Sequence, residues 1–221
     1  MTPKRPEKSV PRSDVSSRRP NAIPAWAAVC FLVSGAAGLM YEVVWSKELS
    51  HVLGNSLHAV STVVAAFLCG LALGAWRLGP WLSKPGRGAR TYAWLELGIA
   101  AFGVLSVPWL RLLFPAFGAL HHALGDGGAA FAAARFAIVF LLLLPPALLM
   151  GATLPVLVDY FEHDLVGPAL ARLYALNTAG AVAGSWLGGF VLVPGAGLFA
   201  ASLCAAALNV VAALVPGVPY G

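Results

Sequence analysis

Apolar residues run along this chain in long uncharged blocks rather than in short alternating ones. Residues 22–41 form one block, closed by Glu42. Residues 59–76 form a second, between His58 and Arg77. A third, over 91–116, carries Glu96 and Arg111, and 136–158 lies between Arg135 and Asp159. After Arg172 no charge occurs through Gly221. The hydrocarbon core of a bilayer takes about 20 helical residues, so this last block is long enough for two spans. Pro194-Gly195-Ala196-Gly197 supplies the turn between them. The pattern predicts an all-α integral membrane fold of six transmembrane helices, near 24–46, 57–80, 91–116, 130–158, 168–192 and 195–216. Blocks this long, without period-2 alternation, exclude the strands of a membrane barrel.

Composition narrows the class. Of the 221 residues, 59% are hydrophobic and 10% are charged, and mean hydropathy is +0.81. Soluble domains carry about a quarter charged residues, and a globule with so few would lack the polar surface to cover itself. A soluble enzyme, a secreted disulfide scaffold and a disordered chain are thereby excluded. Cys30, Cys69 and Cys204 are odd in number, sit in apolar runs and show no metal-binding spacing, so they read as small core residues. His121-His122 lack further ligands. No metal and no cofactor are expected.

The chain divides into a tail, a bundle and an end. Residues 1–22, rich in Pro, Ser and Arg, are expected to be a disordered basic cytoplasmic tail. Ser17-Arg18-Arg19 superficially matches a twin-arginine export signal, but Asn21 stands where a large apolar residue belongs, so a retained tail is the reading. Residues 23–216 form the six-helix domain, and 217–221 are a short end, natural or truncated. Net charge is +5, but its distribution points to the lipid bilayer as partner and not to nucleic acid. Six basic residues lie in the tail, and Arg77, Lys84, Arg87, Arg90 and Arg172 share its side. Only Lys47, Arg111 and Arg135 fall on the other. This bias predicts both termini in the cytoplasm. Gly180, Gly184 and Gly188, like Gly70 and Gly74, make smooth stripes for close helix packing. Pro145, Pro146 and Pro155 remove backbone donors and predict a kink, with Pro145-Pro146 as a candidate hinge.

Charges inside spans cost about 2.5–3.5 kcal/mol on insertion scales and so are site candidates by default. Glu42 is expected near the outer interface, with Arg111 and Arg135 at its level. Glu96 is expected near the inner end of its span, with Arg77. Ion pairs between helices, Glu42 with the outer arginines and Glu96 with Arg77, satisfy these charges; a cation or proton site at Glu42 is the sharper alternative. Asn177, beside Thr178 near the midplane, either lines a cavity or bonds across helices. Asp159, Glu162, His163 and Asp164 read as a solvated acidic loop, or as a dock for a basic partner or polyamine.

Two resemblances stand on these residues. Gly79-Pro80-Trp81-Leu82-Ser83-Lys84-Pro85-Gly86-Arg87 resembles the loop signature between helices 2 and 3 of the major facilitator superfamily. Gly79, Ser83, Lys84, Gly86 and Arg87 hold its positions, with Ser83 where that family has an aspartate. More broadly, Tyr41-Glu42-Val43-Val44-Trp45, the Pro145-Pro146 to Gly151-Ala152-Thr153-Leu154-Pro155 stretch and Leu173-Tyr174-Ala175-Leu176-Asn177-Thr178 are similar to the membrane domain of fused major-facilitator/spermidine-synthase-like proteins. That resemblance covers roughly residues 27–215. It implies half of a major-facilitator-like bundle in a bacterial-type inner membrane. It also implies that the domain anchors, or feeds, a cytoplasmic polyamine aminopropyltransferase, which in that family follows the membrane part. A stand-alone membrane domain and a piece of a longer protein both fit. The alternative is a half-size transporter of small organic cations that pairs with a second copy of itself, Glu42 carrying the cation step. No catalytic residue is expected in this chain. Gly125-Asp126-Gly127-Gly128 superficially resembles the glycine-rich turn of aminopropyltransferases, but no strand precedes it and the next acid, Asp159, lies across the membrane.

Overall fold

A computed structural model describes residues 23–53, 56–84, 86–112, 115–119, 129–161 and 167–215. The described residues are helical apart from turns. Helix α1 spans Ala25–Leu53 and α2 Ser56–Leu73. A π-helical turn, Gly74–Leu78, joins α2 to the short α3, Gly79–Leu82. Then come α4, Gly88–Leu112, and α5, Ala129–Tyr160. Helix α6, Pro168–Trp186, continues through a second π turn, Leu187–Leu192, into α7, Val193–Leu214. Five stretches among the described residues are long and apolar enough to cross a membrane. The expected basic tail and the His121-His122 and Asp126 loop lie outside the described residues, as do Glu162, His163 and Asp164.

Two boundaries differ from the sequence reading. Helix α1 runs on to Leu53 instead of ending at 46, because Glu48, which looks like a span end, is accommodated inside the bundle. At the other end, no separate loop divides 192 from 195; helical assignment runs from Pro168 to Leu214. A straight 47-residue helix would be about 70 Å long, more than twice a bilayer core. It is not straight. Gly197 sits at φ 87°, ψ 171°, where a side chain would be strained, and breaks the helix. The neighbours on each side of this break reveal opposite directions. Gly180, Gly184 and Gly188 lie beside Leu32, Ala36 and Met40 in turn, so α6 runs parallel to α1. Ser202 meets Gly103 and Asn209 meets Glu96, so α7 runs antiparallel to α4. The chain turns back on itself at Gly197.

Small residues set the spacing of the bundle. A methyl group on Gly184 would overlap the Ala36 carbonyl oxygen, and one on Gly70 would overlap Ala147 of α5. Backbone-to-backbone approach of this kind maximises dispersion where no hydrophobic effect drives association. The large buried side chains, Met40, Tyr41, Trp45, Leu49, Leu110 and Leu143, fill the centre. Large apolar groups also cover the outside: Trp76 and Phe190 are 72% and 75% exposed. Such a periphery suits lipid and not water.

A candidate polar centre between three helices

Helices α1, α4 and α7 meet along a line that carries most of the buried polar atoms. At one level Trp45 stacks on Tyr41, with ring centroids 5.7 Å apart, and donates its indole N–H to Ser106 Oγ at 2.8 Å. The hydroxyls of Ser106 and Ser202 both donate to the Gly103 carbonyl, each at 2.7 Å. That carbonyl belongs to an α4 turn; Ser202 ties it to α7, and Ser106, on α4 itself, links it on to Trp45 of α1.

One helical turn or two along, the same three helices enclose Glu96, which is wholly buried. Ser34 of α1 donates from Oγ to Oε1 at 2.7 Å, and Asn209 of α7 donates from Nδ2 to Oε2 at 2.6 Å. The buried Tyr92 hydroxyl stands beside this carboxyl and Ser34, close enough to interact with both, and Asn209 Oδ1 is buried without a hydrogen-bond partner among the described residues. The Cys30 thiol is close by and donates to the Ala212 carbonyl at 3.5 Å. The expected partner of Glu96, Arg77, is elsewhere. It lies exposed on the π turn after α2 and lines an open cavity of about 850 Å³ with Trp76 and Trp81. The two helices carrying Glu96 and Arg77 present them to different neighbours, a placement that spacing along the chain could not reveal.

The outer level also pairs differently from expectation. Arg111 is held by Glu48, with Nη2 at 2.8 Å and Nε at 3.2 Å from Glu48 Oε1. Glu48 is 3% exposed and Arg111 57%. Glu42, the expected partner, is half-buried one turn and a half away on α1. It lines a groove of about 410 Å³ with Ser46, Lys47, Ser50 and Ser185. Arg135 stands with its guanidinium carbon 4.9 Å from the Phe131 ring centroid, a cation–π contact. Asn177 is partly buried, its carbonyl and side-chain oxygens facing Gly35 of α1, while Thr178 donates to Tyr174 of its own helix at 2.9 Å.

The remaining expected positions are ordinary backbone features. Ser83 ends α3, its N–H donating to the Gly79 carbonyl at 2.9 Å. Arg87 N–H donates to Lys84 O at 3.1 Å, and Gly86 takes φ 72° in that turn. Pro85 lies outside the described residues. Helical assignment of α5 is unbroken through Pro145 and Pro146. All three cysteines are free thiols. Sequence reasoning missed Glu48, Ser34 and Asn209. Asn209 carried a usable signal, being a carboxamide within an uncharged apolar block. Glu48 carried one as well, as a second acid on the helix of Glu42.

The class of molecule these observations define is a helical bundle with an apolar periphery and a buried, hydrogen-bonded polar centre. No family model matches the chain, and no solved structure matches it. Relatives do. The chain is 26% identical over 198 residues to a polyamine aminopropyltransferase of Corynebacterium efficiens, covering 86% of this chain and 34% of that protein. It is 28% identical over 207 residues to polyamine aminopropyltransferase 1 of Ralstonia nicotianae, covering 89% and 36%. It is 30% identical over 193 residues to polyamine aminopropyltransferase 2 of Streptomyces coelicolor, covering 84% and 32%. The chain therefore spans about a third of the length of the curated relatives it matches.

Proposed function

We propose that this chain is the membrane domain of a spermidine-synthase-like protein, and that it anchors a polyamine aminopropyltransferase to the cytoplasmic face of the inner membrane. The observation that carries this reading is the coverage of the relatives. Three proteins named polyamine aminopropyltransferase share more than four-fifths of this chain, and all are about three times as long as the matched part. In this reading the five apolar stretches are six spans, the last stretch being a helical hairpin folded at Gly197. The bundle resembles half of a major facilitator transporter, and both termini face the cytoplasm. The eleven-to-three distribution of basic residues supports that orientation. The bundle has no catalytic residue in this account; Glu96 and Glu48 are held by neighbouring helices and not offered to a substrate.

The test is activity in native membranes. Tagged chain, solubilised and purified together with what it holds, is incubated with putrescine and decarboxylated S-adenosylmethionine. Spermidine is expected to form in the co-purified material and not with the bundle alone. Absence of any associated aminopropyltransferase, together with polyamine uptake into proteoliposomes that fails in Glu42→Gln, would replace the anchor with a transporter.

A further inference from the structure

Glu96 presents a problem of charge that its surroundings do not solve with a cation. The carboxyl is fully enclosed; its hydrogen-bond partners are the Ser34 hydroxyl and the Asn209 carboxamide, with the Tyr92 hydroxyl beside them, and all three are neutral. A bare carboxylate in such a place is costly unless a positive charge accompanies it. The basic groups of α1, α4 and α7 lie away from it. Lys47 and His51 are about 20 Å or more along α1 from Ser34, Arg90 is exposed at the start of α4, and Arg111 is occupied by Glu48. On α5, which packs against α4 from the other side, Arg135 stands over Phe131 near the far end, and Asp159 is exposed. The titratable groups that face Glu96 are Tyr92 of its own helix and Cys30 and Tyr41 of α1. Helix α7 brings only Asn209. None of these supplies a positive charge.

The unpartnered atoms complete the picture. Asn209 presents Nδ2 to Oε2 of the acid, while its Oδ1 is buried without a partner among the described residues. The two ends of a carboxamide have the same shape, and rotating Asn209 by half a turn exchanges them. With a proton on Oε2, the acid donates to Asn209 Oδ1 and still accepts from Ser34 at Oε1, Nδ2 then taking the place that Oδ1 leaves. With the proton gone, Asn209 returns Nδ2 to Oε2. The separation of 2.6 Å falls in the range of an O–H···O bond and is short for N–H···O. Neither of the two cavities described reaches Glu96, and a proton is the one cation that needs no cavity.

We infer that Glu96 is a proton-binding site of the bundle: the packed α1/α4/α7 junction holds the neutral acid, hydrogen-bonded to Asn209 and Ser34. Loss of the proton to water then requires those helices to part, so that occupancy of the site and closure of the junction are one equilibrium. The ligand is a proton and not a metal ion. This does not rest on the aminopropyltransferase reading, and its test does not measure synthase activity.

The test is difference infrared spectroscopy of the full chain in lipid vesicles at neutral pH, parent against Glu96→Gln. The parent is expected to show the carbonyl stretch of an un-ionised carboxylic acid. That band should be lost in Glu96→Gln, retained in Glu42→Gln and unchanged when sodium replaces potassium. In Asn209→Leu, which removes the acceptor, it should move to higher frequency. This variant also keeps the test open should Glu96→Gln fail to fold. Ionised-carboxylate bands assigned to Glu96 at neutral pH would overturn the inference. So would an acid band that vanishes on adding sodium, or one that Asn209→Leu leaves in place.

Discussion

Glu48 and Glu96 are both buried acids between α1 and α4, yet the bundle treats them by opposite means. Glu48, near one end, takes both an Nε–H and an Nη2–H from Arg111, whose own side chain is mostly in the surroundings. Glu96, deeper along the same pair of helices, takes a hydroxyl and a carboxamide and no charge. The difference follows from depth. An arginine can reach inward from a helix end while its long stem lies on apolar surface. No such side chain can be extended to the inner position without itself being desolvated, so there the acid is matched with neutral partners. A buried ionisable group thus takes its partner from what can reach it, and not from the nearest opposite charge in the sequence.

The comparison can be broken most severely at Glu96. Glu96→Ala removes the side chain and leaves the Ser34 hydroxyl and the Asn209 carboxamide without their partner, and is expected to cost about 3–4 kcal/mol. A fall in the thermal midpoint of helix loss by circular dichroism checks this. A midpoint equal to the parent's would mean the centre repacks freely. The outer pair is expected to be asymmetric. Arg111→Met leaves Glu48 buried without a partner and should cost about 2 kcal/mol, allowing for screening at the half-exposed guanidinium. Glu48→Gln leaves an arginine that the surroundings can solvate and should cost under about 1 kcal/mol. The same thermal assay, with the order of these two reversed, would contradict the burial difference between the partners. Ser34→Ala is expected to cost about 1 kcal/mol, one hydrogen bond to the acid. Smallest is Glu96→Gln, within about 0.5 kcal/mol of the parent, because it keeps the volume, an acceptor and a donor.

How much of this the sequence carried depends on the kind of information involved. The apolar stretches were legible because a charge ends a block wherever no partner is available, and so was the contact face of α6. Gly180 and Gly184 at four-residue spacing declare a smooth face, and Leu32 and Ala36 of α1 lie against it. The turn at 194–197 was legible as a loop, but the structure narrows it to Gly197 and carries the helix through Pro194, which needs no backbone donor near a helix start. Partners were not legible. Grouping charges by level along the membrane joins Glu42 to Arg111 and Glu96 to Arg77, whereas azimuth around each helix decides contact. Glu48, six residues beyond Glu42, points to α4 while Glu42 faces the groove with Ser185 of α6. Ser34 and Asn209, distant in sequence from Glu96, meet it because α1 lies beside α4 and because α7 folds back at Gly197.

That fold-back is also where the membrane reading is most exposed to test. If 168–214 is a hairpin of two spans, Gly197 and Val215 lie on opposite sides of the membrane. Reporter fusions at these two positions, one active only outside and one only in the cytoplasm, measure this directly. The account predicts an outer signal after Gly197 and a cytoplasmic signal after Val215, which places the C-terminal side where an aminopropyltransferase would find its substrates. Both fusions reporting the same side, or the reverse pair, would contradict the six-span domain and, with it, the anchor.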